Sequence, residues 1–133
     1  MVLKNHIFTR LLNSAVSARE NACAKYSGFN VGASVISKSG KIYSGCNIES
    51  SSYGLSMCAE RNALYKALCE GEKEFDFLLV TAESDVPVSP CGACRQVIFD
   101  HAPDITVIMT NLKGESKVEN IRSLLKYPFS FKK

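Results

Sequence analysis

Long apolar runs are missing from this chain of 133 residues, and no stretch approaches the roughly 20 consecutive apolar residues of a bilayer-spanning helix. The amino-terminal "MVLKNHIFTRLLNSAVSARE" interrupts its apolar positions with Lys4, Asn5, Arg10 and Asn13, so it does not read as a signal peptide. Basic runs are missing too: 16 basic and 13 acidic side chains are scattered to a net charge of +3, with no cluster beyond the terminal Lys132 and Lys133. That balance argues against nucleic acid or an anionic membrane as a partner. Repeats, linkers and low-complexity tracts are also absent. What remains is a chain that is 46% hydrophobic, enough to bury a core, and the expectation is one domain over residues 1–133. Its six cysteines, in a chain expected to be cytoplasmic, read as thiols or metal ligands rather than as a disulfide framework.

Along the chain, helical and strand periodicities alternate. Ile7, Leu11, Leu12, Ala15, Val16 and Ala18 follow helical spacing between His6 and Cys23. The segment "NVGASVISKSGKIYSGCNI" places two strand-forming runs around "KSGK", which predicts an antiparallel hairpin. A second helix follows in "CAERNALYKALCEG", with Gly71 as its carboxy-terminal cap; "FDFLLVTAE" is a buried strand, "CGACRQVIFDHA" a third helix and "ITVIMT" another strand. A short strand around Ser116 to Val118 and a last helix from about Asn120 to Lys126 complete the pattern. Strand and helix in alternation imply parallel pairing with right-handed crossovers. The fold class expected is α/β, a three-layer α/β/α sandwich around a mixed five-stranded sheet.

Two helix starts carry reactive groups where packing residues would be expected. Cys91 and Cys94 are separated by two residues at the head of the third helix, a spacing that aims two sulfurs at one zinc ion, though redox pairs share it. Cys58 opens the second helix, and in a crossover topology both helices begin at the same sheet edge, so three thiols can converge. A structural zinc site closes with a fourth protein ligand, whereas a catalytic one leaves a position for water. Histidine is scarce. His6 belongs to the first helix, and His101 lies roughly 15 Å from Cys91 at helical rise. Cys69 is about three turns from Cys58. Cys23 and Cys46 stay open as ligands, but for these last three cysteines the expectation is a small buried hydrophobe.

Glu60 leaves its helix in a different direction from Cys58, so it reaches a metal-held water rather than the metal. It is expected to take that water's proton and return it to a substrate nitrogen, as hydrolysis at an amidine-like carbon requires. Three thiolates leave a zinc site negative. The helix N-termini offset that charge, and Arg61 and Arg95, one per ligand segment, are expected to donate hydrogen bonds toward sulfur.

"CAER" followed by "PCGACRQ" resembles the active site of the small, all-cysteine, homotetrameric cytidine deaminases, in the cytidine and deoxycytidylate deaminase superfamily. The likeness extends through "YSGFNVGASV", "GCNIESSSYG" and "EGEKEFDFLLVTAE" to "LLKYPF". It implies hydrolysis of cytidine and deoxycytidine to uridine, deoxyuridine and ammonia in pyrimidine salvage, by one zinc per subunit on Cys58, Cys91 and Cys94 with Glu60 as the proton carrier. It also implies ribose binding by Asn47 and Glu49, which alternate along one strand face, and a pyrimidine flanked by Phe29. Backbone groups at Ala59, Ser89 and Cys91 become base contacts by the same likeness. The resemblance further implies a homotetramer in which a carboxy-terminal phenylalanine reaches a neighbour's site. Phe129 is the best match, although Lys126 stands where the family often has proline, which leaves Phe131 in contention.

Two other readings compete. A deaminase of a cytosine-nucleoside antibiotic of the blasticidin S type would keep the zinc motif, but would not be expected to retain the pair Asn47 and Glu49. A non-catalytic zinc-binding domain would call for four ligands and give Glu60 no role.

Overall fold

A computed structural model describes residues 3–131, and the terminal lysines lie outside them. The chain runs α1 (Asn5–Arg19), β1 (Val31–Ser37), β2 (Ile42–Cys46), α2 (Ala59–Cys69), β3 (Phe75–Ala82), α3 (Gly92–His101), β4 (Thr106–Thr110), β5 (Ser116–Asn120) and α4 (Ile121–Leu124). A short 3-10 turn at Tyr53–Leu55 sits ahead of α2. The sheet has the order β2-β1-β3-β4-β5; β3 and β4 are parallel and the other neighbours antiparallel. This is the mixed five-stranded sheet the sequence predicts.

Local chemistry accounts for the elements. In α1, Ile7, Leu11 and Ala15 recur every four residues and form its buried stripe. The β1–β2 turn closes over Gly40 at φ 89°, a left-handed conformation that glycine adopts without steric cost. At the end of α2, Gly71 adopts φ 91°, its N–H donates to the Leu68 carbonyl, and the Glu72 N–H donates to the Ala67 carbonyl. Those bonds satisfy carbonyls that the helix end would leave unpaired. Every residue of β1 is buried, because it runs between two strands and under helices on both faces, whereas β2 at the edge alternates.

Two apolar clusters flank the sheet. One joins Val35, Leu78, Val80 and Val107 to Ala63, Leu64 and Ala67 of α2 and Ile98 of α3. The other joins Ile36, Phe77, Leu79 and Ile108 to the buried stripe of α1. Three layers result, with α1 on one side and the two site-bearing helices on the other.

At two glycines helix and sheet approach too closely to admit a Cβ. A Cβ at Gly45 would lie 2.6 Å from the Ala63 nitrogen and 2.9 Å from the Ala59 carbonyl oxygen, so α2 rests directly on the backbone of β2. At Gly32 a Cβ would overlap the Ala15 carbonyl oxygen of α1. Gly32→Ala is therefore expected to destabilise the protein by about 3 kcal/mol, since backbone rather than a flexible side chain must move. Urea unfolding checks it, and a loss below about 0.5 kcal/mol would show that α1 shifts freely.

Some expectations need correction. The strand β5 continues to Asn120 and α4 is one turn from Ile121, because the Asn120 side chain accepts from the Arg122 N–H at 2.9 Å and caps it. Cys23 and Cys69 are exposed and Cys46 half-buried, so none of the three is the buried hydrophobe predicted.

Candidate active site

The connections β2–α2–β3 and β3–α3–β4 both join parallel strands, so α2 and α3 start at the same end of the sheet. Cys58 occupies the residue before α2 and Cys91 the residue before α3, where serine, threonine or aspartate would normally cap the helix. Neither sulfur caps its own helix. The two face each other at 3.7 Å instead, and with Cys94 they form a trio whose sulfurs all lie within 4.8 Å of one another. Tetrahedral thiolates about 2.3 Å from a zinc ion stand about 3.8 Å apart, so the trio has the spacing that zinc requires.

Its proton affinities point the same way. The Cys58 thiol is pulled down to about 5, first by its hydrogen bond with Cys94 and then by Arg61 and Cys91, against the opposing effect of burial. Cys94 is driven far above the ordinary thiol range, by the same bond first, then by burial and the nearby charge of Glu60. Left to themselves, then, the first thiol to ionise keeps its neighbour protonated. A divalent cation removes that conflict, because coordination lets all three ionise together. Arg61 assists: its Nη2 donates to the Cys58 sulfur at 3.5 Å, and that bond holds its guanidinium more firmly charged than usual.

Glu60 sits in the first turn of α2 at 4% exposure, a rare place for a carboxylate. Burial pushes its carboxyl up to about 7, and the neighbouring Cys58 adds to the rise. A buried carboxyl beside three thiols, on the wall of a cleft, is placed to exchange protons with whatever the cleft holds.

That cleft has a volume of about 260 Å³. Cys58, Ala59, Glu60, Ser89 and Cys91 line it together with Phe29, Asn47 and Glu49. Asn47 and Glu49 also brace the loop that carries Phe29. The Asn47 side chain accepts from the Val31 N–H at 2.9 Å and donates to the Phe29 carbonyl at 2.8 Å. Glu49 accepts from the Tyr26 and Ser27 N–H groups at 3.0 and 3.1 Å and from the Ser27 hydroxyl, which holds its carboxyl below the usual range. Both keep further bonding capacity toward the cleft, one amide hydrogen and several lone pairs. Ser27, Val31 and Val88 complete the lining and were not singled out from the sequence. Ser27 had a signal, lying in the turn "YSGF" where Gly28 takes φ 70°.

Two predicted residues behave differently. Arg95 makes no bond to sulfur; its guanidinium turns to Ser89, Pro90 and Leu124. Phe129 does not line the cleft and is 65% exposed, with its ring 5.1 Å from that of Phe131. Beyond Ser89 a larger hollow of about 930 Å³ opens between β5, α4 and the loop before α3, lined by Arg95, Lys117, Arg122 and Lys126 against Glu119. The linear sequence scatters these charges, and the fold gathers them.

Comparison with known proteins agrees with this geometry. Residues 7–110 match the family model described as the cytidine and deoxycytidylate deaminase zinc-binding region. The cytidine deaminase of Sporosarcina psychrophila is 45% identical over 122 residues, covering 91% of this chain and 90% of that protein. The crystal structure of cytidine deaminase from Burkholderia pseudomallei superposes with a TM-score of 0.89 at 42% identity, covering 96% of this chain and 100% of that one. Blasticidin-S deaminase of Bacillus cereus is 35% identical over 104 residues, 72% of this chain and 74% of that protein.

Proposed function

The chain belongs to the cytidine and deoxycytidylate deaminase zinc-binding family, and from that premise we propose that it hydrolyses cytidine and deoxycytidine to uridine and deoxyuridine with release of ammonia. It is a zinc enzyme acting on the C–N bond of a cyclic amidine. One observation carries the reading: three thiols stand at zinc spacing, and two of them, Cys58 and Cys91, line one cleft together with the buried Glu60.

Cys58, Cys91 and Cys94 hold the metal in this reading. Bound there, zinc supplies the Lewis acidity that makes a water molecule nucleophilic near neutral pH. Glu60 does the proton work. It accepts a proton from the attacking water, delivers it to N3 of the cytosine ring as the new C4–O bond forms, and passes the second to the amino group as the C4–N bond breaks. Arg61 offsets thiolate charge. Phe29 packs against the base, Asn47 and Glu49 hydrogen-bond the ribose, and the backbone at Ala59 and Ser89 holds the base edge.

Assembly as a homotetramer fits the surface. The cleft of one chain is about 260 Å³, below the roughly 300 Å³ at which pockets enclosing a small molecule begin. Tyr53, Tyr127, Phe129 and Phe131 are all exposed and able to close a neighbour's cleft, Phe129 being the foremost candidate. Reduced thiols are required at the site, which suits the cytoplasm.

The test is direct. Zinc-loaded protein should convert cytidine to uridine with one ammonia per turnover and sediment as four chains. No deamination at one zinc per chain would sink the reading, and preferential consumption of blasticidin S would move it to the antibiotic.

A further inference from the structure

Arg95 holds three acceptors at once. Its Nε donates to the Pro90 carbonyl at 2.8 Å, one terminal nitrogen to the Leu124 carbonyl at 2.7 Å, and the other to the Ser89 hydroxyl at 2.5 Å. Ser89, which lines the cleft, and the buried Pro90 behind it form the rim segment that leads into Cys91; Leu124 ends α4, 29 residues from Arg95. Beside it, Gln96 donates to the Phe129 carbonyl at 2.9 Å. The tail is thus fastened on both sides of Tyr127, whose φ is 51°. A residue ahead of proline keeps that left-handed conformation only where its surroundings fix it.

We propose that Arg95 is a positioning residue that clamps the Ser89–Pro90 rim to the carboxy-terminal segment, so that the order of the tail and the tightness of substrate binding rise and fall together. The proposal rests on the deamination reading, in which the rim backbone holds the base. The chemistry requires arginine. A planar fork with five N–H donors serves acceptors in three directions, whereas a lysine ammonium keeps the charge but reaches them only one at a time. If Arg95 acted only as a positive charge near the sulfurs, lysine would replace it; as a clamp, lysine would not.

Arg95→Lys in the zinc-loaded enzyme tests this by steady-state kinetics on cytidine, zinc content and amide hydrogen exchange. KM is expected to rise about tenfold with kcat within about threefold of the parent, because the lost bonds act on binding rather than on proton transfer. Zinc content should be unchanged. Exchange should accelerate together in the rim, residues 86–91, and in the tail, residues 125–131, and not in α2. A parental KM, a loss confined to kcat, or exchange rising in only one of the two segments would overturn the clamp. Should Arg95→Lys fail to fold, Ser89→Ala removes a single acceptor and should show the same pattern with KM up about threefold; parental KM and exchange in that variant would overturn it equally. Exchange needs no turnover, so a parent inactive on cytidine defeats the deamination reading and leaves the clamp separately decided.

Discussion

Glu60→Gln is expected to lower kcat on cytidine by about three orders of magnitude while leaving the fold and the zinc content intact. Glutamine has the volume of glutamate and keeps a hydrogen-bonding end in the same buried position, so packing around α2 is preserved. What it loses is the capacity to accept a proton and give it back. Among the residues lining the cleft, the other carboxylate, Glu49, is already engaged by Ser27 and Tyr26. Zinc stoichiometry and melting temperature separate this loss from a structural one. A variant as active as the parent would remove Glu60 from the mechanism, and a loss of zinc alongside the activity would make it a support of the metal site instead.

Cys94→Ala should abolish both metal and activity. Its sulfur is fully buried and is within reach of the other two, so the variant leaves two thiols on separate helices. A zinc site saturated about 1,000-fold above its Kd adds about 4 kcal/mol to stability, and losing that should lower the melting temperature by roughly 10 °C. Chelator-treated parent supplies the control. It loses the metal without losing the methylene and sulfur packing, so any further fall in the variant measures the cavity alone. One zinc per chain and parental turnover in Cys94→Ala would show that Cys94 is not a ligand.

The elements were legible in the sequence because their signals are local. Spacing of Ile7, Leu11 and Ala15, the "KSGK" turn and Gly71 each act within a few residues of themselves. The cysteine trio was legible for a related reason, since a crossover topology sends both helix starts to one sheet edge. Arg61 and Arg95 look equivalent in sequence and are not. Arg61 lies three residues after Cys58 and folds back onto its sulfur, whereas Arg95 follows Cys94 directly and so points about 100° away around the helix. Two of the acceptors waiting there, Pro90 and Ser89, lie five and six residues back, but the third, Leu124 of α4, is 29 residues on, where no local pattern could find it. Likewise, the bracing of the Phe29 loop by Asn47 and Glu49 joins segments 16 to 23 residues apart, and the exposure of Cys23 and Cys69 is decided by what packs over them rather than by their own chemistry.

Gly45 has a consequence for how such a site could diversify. Every single amino-acid replacement of a glycine adds at least a Cβ, and here the smallest addition already meets the backbone of α2. The separation between the sheet and the helix bearing Cys58 and Glu60 therefore has no gradual series of variants leading away from it. At the head of α3 the situation is reversed, since a Cβ on Gly92 would meet nothing within 4 Å. A lineage drifting by one substitution at a time would find the spacing between sheet and α2 closed to adjustment at Gly45, while the head of α3 stays open to a larger side chain at Gly92.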